Sequence, residues 1–140
     1  MTASQNKAIV QRAFDGLAQA DPADFLAAMS DDLVWIITGN SEWSGRFEGK
    51  EAVQRDLIAP LFRLFATPYY NRAERIIADD EGNVVVLAKG EVRTRSGQDY
   101  NNDYCFVMQL RDERIVEIRE YMDSALAARA LGAGSPAIAP

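Results

Sequence analysis

The second half of the chain holds four strand-like segments separated by turns too short for any crossover, and this spacing constrains the fold more than any other feature. The segments are residues 69–78, 83–94, 100–110 and 115–123. Between them lie "DDEG" (79–82), "RSGQ" (95–98) and "RDER" (111–114). Parallel neighbours need a connection of a dozen or more residues, whereas antiparallel ones close through a tight turn. The spacing therefore predicts a meander of antiparallel strands.

Two of these strands carry an acid among apolar neighbours. Side chains of a strand alternate between faces, so Asn101, Asp103, Cys105 and Val107 share one face of "YNNDYCFVMQL", and Tyr100, Asn102, Tyr104, Phe106 and Met108 share the other. In "IVEIREYMD", Val116, Ile118, Glu120 and Met122 form one face with Glu120 as its only charge. The expectation is that Asp103 and Glu120 both reach an apolar pocket, with Asn101 fixing their hydrogen bonds. Two carboxyl groups in a dry site cannot both ionise cheaply, so one would hold a proton and one would accept it. The face of Tyr100, Tyr104, Phe106 and Met108 would then lie outside, an aromatic patch large enough to call for a homodimer. The plainer alternative pairs each acid with an arginine or a loop amide at the pocket mouth.

The first half supplies helices and one strand. Ile9, Ala13, Phe14 and Leu17 recur at helical spacing over residues 4–20. Asp21 and Pro22 open a second short helix through Phe25, Ala28 and Met29. "LVWIITG" (33–39) reads as a buried strand with Leu33, Trp35 and Ile37 on one face. A structured loop (40–50) follows, whose Trp43 and Phe47 are either a lid or anchors. A third helix (49–65) comes next, to be kinked or divided by Pro60. Gly90 is expected to mark a bend in its strand, and Lys89, Glu91 and Arg93 an outer polar ladder. "SALAARAL" suggests a brief last helix. The domain is expected to span residues 1–131, with a loose or draped tail at 132–140.

Composition narrows the function. A chain of 140 residues with 48% hydrophobic and 26% charged residues suits one globular domain. Its net charge of -6 argues against nucleic acid as a partner. With no histidine and one cysteine, the usual zinc ligands and histidine-dependent triads are missing, and no metal or cofactor is expected. No stretch approaches the ~20 apolar residues of a membrane span, so a cytoplasmic location is expected.

Helices, one buried strand, a kinked helix and then the meander resemble the nuclear-transport-factor-two-like superfamily, and within it the SnoaL-like, ketosteroid-isomerase-related proteins. The likeness is carried by "DDLVWIITG", "WSGRFEGKEAV", "SGQDYNNDYCFVMQL" and "RIVEIREYMDS". It implies an α+β cone, a curved and mostly antiparallel sheet wrapped around N-terminal helices, with a pocket at its open end. The pocket would take a small apolar or partly polar organic ligand, lined by Trp35, Ile37, Val86, Cys105 and Ile118. In the isomerases a hydrogen-bonding aspartic acid matches Asp103, but the catalytic base falls at Ile37 and a tyrosine near Ala13 and Phe14, so their mechanism does not transfer. In the related epoxide hydrolases an Arg-x-Asp pair and a last-strand Asp match Asn101, Asp103 and Glu120. In the SnoaL-like cyclases a last-strand acid matches Glu120. The resemblance thus implies a cofactor-independent isomerase, cyclase or hydrolase, or alternatively a non-catalytic ligand-binding or assembly module, or an accessory subunit of a larger enzyme.

Overall fold

The computed structural model describes residues 2–132 of the chain. Most of the tail expected at 132–140 therefore lies outside the described residues. Helix α1 (Ala3–Leu17) opens with a capping box, in which the Thr2 hydroxyl accepts from the Gln5 N–H and the Gln5 side chain accepts from the Thr2 N–H. It buries Val10, Ala13, Phe14 and Leu17; of the expected stripe, Ala13, Phe14 and Leu17 are buried, and Ile9 is half-buried beside Val10. Helix α2 (Ala23–Ala28) follows a turn in which Asp21 Oδ1 accepts from the Ala23 N–H. The chain then passes into strand β1 (Met29–Ile37), which starts four residues earlier than expected.

The loop after β1 contains a further strand, β2 (Gly45–Glu48), that its Ser and Gly content concealed. β2 pairs antiparallel with β1, setting Phe47 beside Trp35. The third helical segment is divided, as Pro60 predicts. It consists of α3 (Lys50–Ala52), a π-helical turn (Val53–Ile58) and α4 (Ala59–Phe62). Proline lacks an N–H and its ring crowds the preceding turn, and the wider π turn lies directly before it, with the Ala59 N–H bonded to the Gln54 carbonyl.

Strands β3 (Tyr70–Ala78), β4 (Asn83–Glu91), β5 (Asp103–Arg111) and β6 (Arg114–Met122) form the antiparallel meander, and helix α5 (Ser124–Leu131) closes the described chain. The open six-stranded sheet runs β2-β1-β6-β5-β4-β3. Only β1 and β6 are parallel, because the chain between them passes through the whole remainder of the fold. The architecture is thus the expected α+β one, with helices packed on one face of a mixed sheet. Its main core joins Phe14 and Phe25 from the helices to Trp35, Val86, Phe106, Met108 and Ile118 from the sheet.

One expectation about the sheet is reversed. Tyr104, Phe106 and Met108 point inward and are buried, as is Tyr100 just before β5, so they form no external patch. The opposite parity of β5 faces out, with Asp103 exposed and Cys105 and Val107 half-buried. In an antiparallel ladder directly opposed residues share a face, and Phe106 opposes Glu120 while Cys105 opposes Tyr121. Asp103 has the parity of Cys105, so it cannot share a face with Glu120. Burying three large side chains removes far more apolar surface from water than burying Asp103, Cys105 and Val107 would, and avoids desolvating a charge.

Candidate functional site

The concave side of this arrangement is a cavity of about 270 Å³ between the helices and the sheet. It falls slightly below the ~300 to 1,000 Å³ typical of small-ligand sites. Its wall is predominantly apolar and aromatic. Phe14, Phe25, Trp35 and Phe106 form a chain of ring contacts with centroids 5.9 to 6.4 Å apart, and Tyr104 stacks on Phe106 at 5.1 Å. The divided third helix contributes Leu57, Ile58, Leu61 and Phe62. No lysine or arginine lines the cavity among the described residues, and Glu120 is its only carboxylic acid.

Glu120 is held from two sides. Its backbone carbonyl accepts from the N–H (3.1 Å) and the hydroxyl (3.0 Å) of Thr38, where the chain leaves β1. Its side-chain Oε1 accepts from the Trp35 indole N–H at 3.1 Å, and Oε2 has no partner among the described residues. Burial disfavours the charged form and pushes the carboxyl up from its ordinary 4.5 to about 7, against the smaller lowering effect of the Trp35 hydrogen bond. Such a group changes protonation near neutrality.

Three tyrosines surround this acid. Tyr69, Tyr100 and Tyr104 all line the cavity, and burial pushes all three hydroxyls up, so they remain protonated donors. The negative charge that Glu120 can carry adds to the rise in each case. Asn71 donates to the Tyr69 hydroxyl at 2.9 Å. Asn102, fully buried, donates to the Tyr100 hydroxyl at 3.2 Å and to the Asp123 carbonyl at 3.1 Å, and accepts from the Asp103 and Asp123 N–H groups. It fastens the start of β5 to the end of β6. Gly90 has a role other than the expected bend. A Cβ there would stand 3.0 Å from the Tyr104 ring and 3.3 Å from the Tyr69 ring, so the glycine is the space into which the two rings close.

Two wall residues retain unsatisfied polar atoms. Trp43 and Asn71, each 2% exposed, line the cavity, and the Trp43 indole N–H and the Asn71 Oδ1 have no hydrogen-bond partner among the described residues. Buried polar groups left in this state cost about 1 to 3 kcal/mol each. Trp43 is therefore a wall residue, while Phe47 packs on the edge of the main core.

The expected site residues divide as follows. Trp35, Ile37 and Glu120 come together in the wall. Val86 and Ile118 are fully buried in the core without lining the cavity. Asp103, Asn101 and Cys105 are elsewhere. The Asp103 side chain is 73% exposed and paired with Lys89 at 2.6 Å on the outer face, within the polar ladder that also joins Arg72 to Glu91. Asn101 is exposed, its Oδ1 accepting from the Val92 N–H at 3.1 Å, and Cys105 is half-buried beside Tyr121. The pair of pocket acids is thus one acid. Sequence reading missed Tyr69, Asn71 and Tyr104 as wall residues, and left Trp43 as either a lid or an anchor. The signal for Tyr104 was present, since a face bearing Tyr100, Asn102, Tyr104 and Phe106 is a better pocket wall than a dimer patch.

Among the described residues no three potential metal ligands gather, and no helix is long and apolar enough to cross a membrane. Comparison with curated proteins gives no match. Among solved structures, a nuclear-transport-factor-two-like protein from Burkholderia xenovorans is 25% identical, with a TM-score of 0.70 over 93% of this chain and 98% of that one. A candidate SnoaL-like polyketide cyclase from a Jannaschia species is 23% identical, with a TM-score of 0.75 over 94% of each chain. TerC, co-crystallised with polyporic acid, is 18% identical, with a TM-score of 0.74 over 91% of this chain and 98% of that one. The SnoaL-like domain family matches residues 10–118, from the first buried turn of α1 to the middle of β6. The chain therefore belongs to the SnoaL-like domain family, of the nuclear-transport-factor-two-like superfamily.

Proposed function

We propose that the cavity binds a small, largely apolar organic molecule and that Glu120 moves a proton on it, as an isomerase or a cyclase requires. The observation that carries this reading is a single carboxyl in an aromatic cavity, pushed up to about 7. A general base works best with a pKa near the working pH. Ionised Glu120 would take a proton from a carbon beside a carbonyl. The C–H electron pair would move toward the carbonyl oxygen, where a tyrosine hydroxyl can donate a hydrogen bond. Protonated Glu120 would return the proton to another carbon. Hydrolysis by a pair of acids loses its support, because Asp103 lies on the other side of the sheet. The polyporic acid in the related structure is a precedent for an oxygenated aromatic ligand in this fold, and the unpaired atoms of Trp43 and Asn71 favour a ligand with polar groups of its own.

The test is to release and identify the bound molecule by mass spectrometry, then incubate it with the protein in deuterated water. Wild type should place deuterium on carbon, whereas Glu120→Gln should bind the molecule and exchange at least a hundredfold more slowly. Exchange by both no faster than in buffer alone would leave the second reading, a binding module without turnover, which the lack of a second acid in the cavity among the described residues favours.

We also propose a homodimer, on a surface other than the one expected from sequence. Leu87, Cys105 and Tyr121 oppose one another across β4, β5 and β6 on the outer face, with Val85 and Val107 adjacent. Light scattering should give twice the chain mass for wild type and the chain mass for Tyr121→Asp. A wild-type monomer at micromolar concentration rules the dimer out.

A further inference from the structure

We propose that the ligand is a two-part molecule, with an oxygen-bearing head at Glu120 and an unbranched or flat apolar tail that passes Phe62 into a second chamber. The inference rests on the reading of the Glu120 cavity as a ligand site and adds the shape and chemical class of what it takes. A second cavity, of about 260 Å³, adjoins the first. The two share Leu17, Pro22, Phe62 and Tyr69, so these four residues stand between them. Beyond these four the wall is Ala20, Phe65, Thr67 and Pro68.

The chemistry of the two chambers differs. Glu120, Asn71 and the indole of Trp43 all belong to the first. In the second, the Thr67 hydroxyl accepts from the Arg93 N–H at 2.9 Å and donates to the Pro68 carbonyl at 3.4 Å, while Tyr69, whose hydroxyl accepts from Asn71, is shared with the first chamber. The carboxyl and the unsatisfied buried atoms that a polar head can engage therefore lie in the first chamber, and the side chains lining the second are mostly aliphatic or aromatic. Phe62 stands at the boundary. It is 40% exposed, with its ring 5.1 Å from that of Phe65 and edge-on to Tyr69 at 5.6 Å. It sits on the short α4 segment behind the π-helical turn, so one ring on a brief element borders both chambers.

Para-alkylphenols from methyl to heptyl provide a direct test, because the chain's two tryptophans, Trp35 and Trp43, both line the first chamber and report head-group binding by fluorescence. In wild type, affinity should rise about three- to fourfold per added methylene over several carbons. Thr67→Phe, which fills the second chamber, should leave para-cresol affinity within about twofold and abolish the rise for longer tails. Thr67→Val removes the hydroxyl without adding bulk and should behave as wild type, separating occlusion from loss of the Arg93 bond. Thr67→Leu is a smaller filler should the phenylalanine variant not fold. Affinity that stops rising after the first carbon, or rises equally in the filled variants, overturns the second chamber and leaves the Glu120 site standing. Failure of para-cresol itself to perturb either tryptophan overturns both.

Discussion

Replacing Glu120 by glutamine should make the protein more stable at alkaline pH and change little in acid. The folded carboxyl lies at about 7 against an ordinary 4.5, because burial opposes its charge and no cation among the described residues lines the cavity to offset it. A folded pKa above the unfolded one means that the native state keeps a proton the unfolded chain has released. The contribution is therefore fully present below about pH 4.5, declines between 4.5 and 7, and is lost above. At about 1.36 kcal/mol per pH unit, the loss amounts to about 3 kcal/mol. Glutamine mimics the protonated acid. Its carbonyl can still accept from Trp35, and its amide nitrogen takes the place of Oε2, which has no partner among the described residues. Any fixed cost of that nitrogen is independent of pH, so the quantity to follow is the wild-type-to-variant difference across pH 4 to 9. With m-values of roughly 1 to 3 kcal/mol per molar urea, the difference between the two urea midpoints should change by about 1 to 3 M between the two ends of the range. A difference that stays constant within about 0.5 kcal/mol would show that Glu120 titrates as an ordinary acid, removing the physical basis for its role as a base near neutrality.

Gly90→Ala should destabilise by about 1 to 3 kcal/mol and weaken ligand binding, because the new methyl group drives the Tyr104 and Tyr69 rings apart; thermal melts and tryptophan titration check both. Asn102→Ala should cost about 2 to 4 kcal/mol in urea unfolding, since it removes the acceptor of two backbone N–H groups and the donor to the Asp123 carbonyl between β5 and β6. Asp103→Asn should leave the melting temperature and ligand affinity at wild-type values, because its exposed pairing with Lys89 is screened by solvent. A large loss of binding in that variant would return Asp103 to the site.

The sequence marked five of the six strands, all but β2, and which residues of each of those travel together. Short turns enforced the antiparallel meander, a helical stripe ending at Leu17 produced α1, and Pro60 divided the third helix. It also determined that the chemistry must rest on carboxylates, tyrosines and amides, since the chain has no histidine. Alternation cannot say which parity faces the core, because a shift of one residue exchanges the two faces while leaving the pattern intact. That decision was tertiary. The pairing of Phe106 with Glu120 tied β5 to β6, and the helices covered the face with the larger rings. Glu120 was thereby buried beside Trp35, and Asp103 was left in water beside Lys89. The cavity wall was equally beyond sequence reading, since Phe14, Trp43, Tyr69 and Tyr104 come from four distant parts of the chain and meet only when the sheet has closed over the helices.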